Sequence, residues 1–256
     1  MDIAATGAIL AKARLNAKRL DDYPCPPPQT MEEAYAVQDV VTRALDTPIV
    51  GWKVGATAKA AREMLGVDEP FCGPLLEGFV LSAPGPISVT ASDLRIVEAE
   101  IAFRMKRDLP SRNQPYAMDD IVDAIATVHP VFEIANKRLP GTIKDNVCWL
   151  VADGGVNQAF VYGPGVAFDP SMDMAAETVQ VSVDGKAATT GIGATALGNP
   201  LAVVVWLANH LSGRNIVLKA GDWVSTGLIC DVLTPDPGAT LVADYKTIGS
   251  VQLNLV

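Results

Sequence analysis

Apolar and polar positions follow two different rhythms along the chain. Up to about residue 45 the spacing is helical. Ile3, Ile9, Leu10 and Ala13 form one apolar stripe, in a segment expected to end near Asp22. Pro24, Pro26, Pro27 and Pro28 then make a stiff extended joint. Thr30 followed by Glu33 has the spacing of a capping box and opens a second helix, with Ala34, Val37, Val41 and Leu45 on one face. From Ile49 onward the pattern shortens toward strands. Val50 to Thr57 reads as a strand running into a helix that stops at Gly66. Further strands are predicted over 95–105, 131–135, 223–229, 239–246 and 249–256, and a hairpin over 178–190 turns at Asp184-Gly185. Helices are predicted from Asp119 to Val128 and from Asn199-Pro200 to Gly213. Strands outnumber helices after residue 50 without βαβ alternation, which points to an α+β class. The division expected is a helical extension over 1–48 and a β-rich domain over 49–256.

Composition narrows the function classes. The chain has 256 residues, 49% of them hydrophobic, enough to bury a core without a disulfide or structural metal. Twenty Lys plus Arg against 29 Asp plus Glu give a formal charge of −9, which disfavours a general nucleic-acid binder. The longest apolar run, Leu201 to Ala208, is far short of the ~20 residues that span a bilayer, so no membrane partner is expected. The early apolar run is followed directly by Lys12, Arg14, Lys18 and Arg19, unlike a secretory leader, and the four cysteines form no CxxC pair. These features read as cytoplasmic. His129 and His210, both placed on predicted helices, are too few for a His-rich zinc site and read as structural.

Carboxylates in apolar company are the chemical anomaly. Glu98 and Glu100 lie at i and i+2 of a strand carrying Ile96, Val97, Ala99, Ile101 and Phe103, so they share one face, roughly 7 Å apart. Arg95 or Lys106 as a surface partner is the alternative to a functional role. Glu133 repeats the situation inside Val-Phe-Glu-Ile-Ala. Three buried carboxylates suit a hard divalent cation such as Mg²⁺. Lys53, between glycines in Gly-Trp-Lys-Val-Gly, is the candidate balancing cation and acid/base group. Gly191-Ile-Gly193 and Asp153-Gly-Gly155 lack the context of phosphate cradles and read as turns or close backbone approaches, and no GxSxG elbow is present. The N-terminal helices carry few candidate catalytic groups and are expected to serve packing or oligomerisation.

Several segments in order resemble one family: Gly51-Trp-Lys-Val-Gly-Ala-Thr57, Leu65-Gly-Val-Asp-Glu-Pro70, Val97-Glu-Ala-Glu-Ile-Ala-Phe103, Phe132-Glu133, Val151-Ala-Asp153, Leu197-Gly-Asn-Pro200, Ala220-Gly-Asp222, Ser225-Thr-Gly227 and Ile248-Gly-Ser-Val251. They resemble the 2-oxopent-4-enoate hydratase / 4-oxalocrotonate decarboxylase family within the fumarylacetoacetate hydrolase superfamily. The resemblance implies a mixed β-roll of the fumarylacetoacetate hydrolase C-terminal-domain type behind an N-terminal helical extension. It also implies a Mg²⁺ or Mn²⁺ ion on Glu98, Glu100 and Glu133, catalytic roles for Lys53 and Asp153, and substrate contacts from Phe71, Leu76 and Thr226. The implied substrate is a small unsaturated 2-oxo acid of aromatic-compound breakdown, and the implied assembly a homo-oligomer, with a sister decarboxylase or hydratase as the candidate partner.

From a dienolate of such an acid, water adds to the distal carbon or a distal carboxylate leaves as CO₂. Hydrolysis of acylpyruvates, decarboxylation of oxaloacetate, and a silent binding subunit remain alternatives. Two departures bear on the choice. Phe71 stands where the hydratase pattern has an aspartate, and Gly154 where it has an asparagine. A phenyl ring cannot hold a water as a carboxylate does, so Phe71 is expected to make the site drier and to favour decarboxylation or ketonisation over hydration. The opposing expectation is that Phe71 points into the core while Glu69 or Asp153 positions the water.

Overall fold

In the computed structural model, residues 1–16, 18–88 and 96–256 are described. The chain opens with α1 (Ile3–Leu15) and α2 (Met31–Leu45), then β1 (Ile49–Gly55), the short α3 (Lys59–Leu65) and β2 (Phe71–Leu76). Strands β3 (Val80–Ser82), β4 (Gly85–Ile87) and β5 (Ile96–Met105) lead to α4 (Met118–Val122) and β6 (Ile125–Ala135). Next come α5 (Val147–Ala152), β7 (Asn157–Tyr162), β8 (Val166–Ala167), β9 (Thr178–Val183) and β10 (Lys186–Ile192). The chain closes with α6 (Pro200–Gly213), β11 (Trp223–Leu228), β12 (Thr240–Tyr245) and β13 (Gly249–Leu255).

The expected caps are present. The Glu33 N–H donates to the Thr30 hydroxyl at 3.2 Å, while the Glu33 carboxylate reaches back to the Gln29 N–H at 2.8 Å. Asn199 caps α6 through the Leu201 N–H, with Pro200 at the first helical position. Asp184 and Gly185 both take positive φ, as the hairpin turn requires. Two expectations need correction. The first helix ends at Leu15, not near Asp22, and the helix expected over Asp119–Val128 stops at Val122. From Ile125 the chain pairs with β5 instead, Met105 opposite Ile125 and Phe103 opposite Val128. Long-range pairing of β-branched residues there overrides local helical spacing. His129 therefore lies on a strand, between the Thr127 hydroxyl at 2.8 Å and the Gly163 carbonyl at 3.1 Å. Arg95, the first residue of the predicted 95–105 strand, falls outside the described residues.

The sheets mix parallel and antiparallel pairs, as the α+β reading expects. One sheet runs β2-β1-β11-β5-β6-β7-β3, with β8 added on β6; the other runs β10-β9-β12-β13-β4. The pairs β1–β11, β3–β7 and β4–β13 are parallel. The larger sheet curls until β2 meets β7. Its outer face joins α1, α2, α5, α6 and the second sheet in one continuous core that includes Leu10, Val37, Phe103, Phe132, Trp149 and Leu207. Its inner face holds a smaller apolar plug of Leu75, Ala102, Val131, Phe160 and Trp223. Among the described residues, no helix is long and apolar enough to cross a membrane.

Candidate active site

The inner face of the curled sheet brings the candidate residues together by strand parity. Lys53 on β1 pairs with Ser225 on β11 and Gly73 on β2. Glu98 on β5 lies directly opposite Glu133 on β6, and Glu100 two residues along shares that face. One oxygen from each of Glu98, Glu100 and Glu133 falls within 4.8 Å of the others. Lys53 Nζ stands 3.5 Å from Glu133 Oε1. Lys106, the other surface partner weighed for these acids, is exposed and lies outside the cluster.

Glu100 and Glu133 are held from behind. Ser225 Oγ and the Gly227 N–H donate to Glu100 Oε2, the latter at 2.9 Å, and Tyr245 Oη on the second sheet donates to the Glu100 carbonyl at 2.7 Å. Asn157 Nδ2 donates to Glu133 Oε1 at 2.9 Å. These bonds leave Glu100 Oε1 and Glu133 Oε2 buried with no partner. Burial and the charge of Glu133 push Glu98 up to about 7, and burial with both neighbouring acids pushes Glu100 well above the carboxylate range. Burial would depress Lys53, but the three carboxylates outweigh it and raise the ammonium. The cluster is short of positive charge and has spare oxygen acceptors, which is the donor set a hard divalent cation takes. The residues fit such an ion.

Of the three acids, Glu98 opens onto a cavity of about 450 Å³. Lys53, Glu98 and Phe71 line it, with Ala61, Met64 and Leu65 of α3, Ile143, Leu150 and Val232 as apolar wall. Exposed Asp231 also lines this cavity, and its carboxylate accepts from the Thr189 hydroxyl at 3.1 Å. Phe71 faces this space, its ring 5.4 Å from Lys53 Nζ. Gly155 takes φ +64, and a Cβ there would lie 2.7 Å from Lys53 Nζ, so only glycine lets the loop close over the lysine.

Three expected site residues lie elsewhere. Leu76 is fully buried in the outer core and does not line the cavity. It is five residues from Phe71 on one strand, an odd offset that turns it to the opposite face. Thr226 is fully buried, and its hydroxyl donates to the Ile101 carbonyl at 2.7 Å; parity gives the site Ser225 instead. Asp153 is buried behind the site, where Arg138 Nε donates to its Oδ1 at 2.6 Å and the Arg138 N–H to its Oδ2 at 3.3 Å. Neither Asp153 nor Glu69 lines this cavity; Glu69 borders a separate cleft with Tyr35 and His210.

The sequence reading missed Asn157, Arg138 and Arg14. Arg14 on α1 is buried, stacks on the Phe79 ring at 4.6 Å and donates to Asn157 Oδ1 at 3.4 Å. Burial, and then Arg138, push it down to about 9 against the pull of Asp153 and Glu133. An arginine following an apolar stripe gives no local indication that it turns inward. Gly154, far along the chain, stands beside it, with a built Cβ 3.6 Å from Arg14 Nη1.

Sequence comparison decides the family. The chain is 31% identical over 234 residues to a 2-hydroxyhexa-2,4-dienoate hydratase of Comamonas testosteroni, covering 90% of this chain and 86% of that one. The chain belongs to the 2-keto-4-pentenoate hydratase / 4-oxalocrotonate decarboxylase family. No family model matches it. Among solved structures it resembles the 4-oxalocrotonate decarboxylase of Pseudomonas putida G7 complexed with magnesium and adipate, with a TM-score of 0.89 and 28% identity over 99% of this chain and 97% of that one. A fumarylacetoacetate hydrolase family protein of Yersinia pestis CO92 matches with a TM-score of 0.62 at 16% identity, over 83% of this chain and 95% of that one, and shares the fold. The expected superfamily fold with its N-terminal helices is thereby borne out.

Proposed function

We propose that the chain is a divalent-metal-dependent lyase that removes CO₂ from the distal end of a small unsaturated 2-oxo diacid of the 4-oxalocrotonate type. The observation that carries this reading is the cluster of Glu98, Glu100 and Glu133, with its unpartnered oxygens, which reaches through Glu98 a cavity whose wall is mostly apolar. Those three residues would hold Mg²⁺ or Mn²⁺. When bound, such an ion supplies an electrophile for the carboxylate and 2-oxo oxygens of the substrate and a sink for charge developing at C2. The P. putida G7 relative, complexed with magnesium and the diacid adipate, supports both the ion and the ligand class.

The protein's own residues set the rest. In this reading the first carboxylate would be held at the Glu98 and Lys53 end, and the distal one would meet the apolar wall to which Ile143 and Leu150 belong. A carboxylate kept from water there rises in energy, whereas departing CO₂ carries no charge to solvate. Lys53 holds a proton at Nζ beside the cavity and delivers it to the dienolate left behind. Phe71 fills the space in which a carboxylate would orient water.

A second reading, hydration of 2-hydroxypenta-2,4-dienoate, is favoured by Asp231, a carboxylate at the cavity able to hold a water. The discriminating experiment follows products by NMR from 2-oxohex-3-enedioate and from 2-hydroxypenta-2,4-dienoate, with Mg²⁺ and with chelator. Decarboxylation exceeding hydration in wild type, with hydration gained in Phe71→Asp, supports the first reading. Fast wild-type hydration that Phe71→Asp leaves unchanged and Asp231→Asn removes establishes the second.

A further inference from the structure

We infer that Arg14 of the N-terminal helix is a positioning residue for the metal site, acting through the Asn157 amide on Glu133. The inference rests on reading the three glutamates as metal ligands. An asparagine side chain is nearly symmetric in shape, so its neighbours decide which end is which. Arginine only donates, and Arg14 Nη2 stands 3.4 Å from Asn157 Oδ1. That contact turns the amide so that Nδ2 faces Glu133 Oε1 at 2.9 Å. The same Glu133 oxygen faces Lys53 Nζ at 3.5 Å, so both donors gather on Oε1. Glu133 Oε2 is left as the acceptor without a partner. An amide turned the other way would set its oxygen against a carboxylate and its NH₂ against a guanidinium, two repulsive contacts in a buried place.

The surroundings are built around this guanidinium. Arg14 is 4% exposed and Asn157 is fully buried. Phe79 covers one face of the guanidinium at 4.6 Å. Gly154, at φ +66, offers only backbone on its side: a Cβ there would already stand 3.6 Å from Nη1, and anything longer would compete for the same volume. The Asn157 carbonyl is fixed separately by Arg138 at 3.3 Å, so the backbone beneath the amide is set without Arg14. What Arg14 adds is the orientation of the side chain. The N-terminal helix thus reaches the chemistry through one residue.

Hydrogen-bond partners behind metal ligands typically change metal affinity about 10–100-fold when removed. Mn²⁺ binding to the full chain, read by electron paramagnetic resonance, measures this without turnover. Arg14→Met is expected to weaken Mn²⁺ binding about 10–100-fold. Asn157→Leu should weaken it comparably, and the double variant should lose no more than the larger single loss, because both break one relay. Leu10→Ala is the structural control: it removes a fully buried side chain from the same helix, so it should lower Tm while leaving Mn²⁺ affinity within about twofold of wild type. Arg14→Lys keeps a cationic donor and should lose less affinity than Arg14→Met; it also carries the test should Arg14→Met not fold. Wild-type Mn²⁺ affinity in Arg14→Met, or in Arg14→Lys if only that variant folds, overturns the inference, as does an equal loss in Leu10→Ala. A wild-type chain that takes up no Mn²⁺ overturns the metal reading itself.

Discussion

Two groups of buried carboxylate sit within a few residues of one another in space and are built on opposite principles. Asp153 meets one arginine through both oxygens, and Arg138 spends its remaining donors on the Asp153 and Asn157 carbonyls and on Gln158. Charge and hydrogen bonding both close. Glu98, Glu100 and Glu133 share one lysine, and two of their oxygens face no donor. A buried acid is therefore not by itself a functional acid. The distinction lies in what is left unpaired, since an unpaired buried charge is costly and the proposed cation is what would complete it.

The largest expected effect breaks the open group. Glu133→Gln should remove divalent-metal binding and turnover while the fold survives, as titration calorimetry and circular dichroism would show. Undiminished metal binding in a Glu98→Gln/Glu100→Gln double variant would falsify the ligand assignment. Next is the closed group: Arg138→Met strands Asp153 as a buried unpaired charge and should cost about 3–5 kcal/mol in denaturant unfolding. If the loss is below about 1 kcal/mol, the pairing does not hold the loop and the contrast fails. Lys53→Met should keep the metal and lose turnover by ~10²-fold, roughly 2.7 kcal/mol of barrier. Near-normal turnover would make Lys53 a structural counter-ion.

A smaller effect is expected at a histidine outside either group. His210, packed against Tyr35 and Trp206, is pushed down to about 4 by burial and then by Arg214. Because its folded pKa lies below its unfolded value, its contribution is complete above about pH 6.5 and is lost as pH falls toward 4. Discounted for partial exposure, it should cost about 1 kcal/mol between pH 7 and pH 5.5. A His210→Phe variant should lose that part of the pH slope in thermal unfolding; an unchanged slope assigns it to other groups.

Legibility followed locality. Glu98, Glu100 and Glu133 stand out because each interrupts an apolar strand, a cost visible in five or so residues. The caps of α2 and α6 and the Asp184-Gly185 turn were legible for the same reason. The helix over Asp119–Val128 was misplaced because the last part of that segment answers to β5 across the sheet. Leu76 and Thr226, the substrate contacts the resemblance implies, turn away from this cavity because a single step along a strand reverses the side chain. Asp153 is a loop acid whose local sequence does not reveal the Arg138 that claims it.

The local sequence marks the side chains that are costly to bury: Glu98, Glu100, Glu133 and Lys53, each set among apolar or glycine neighbours. It determined the class of ion that suits them and the family pattern around them. Folding is what sets Glu98 across from Glu133, brings Ser225 rather than Thr226 to Glu100, and carries Arg14 to Asn157 across 143 residues of chain. The reason is physical. The desolvation cost of a charge belongs to the residue and its near neighbours, whereas the partner that relieves it is chosen by strand register and sheet curvature, which no short stretch of chain contains.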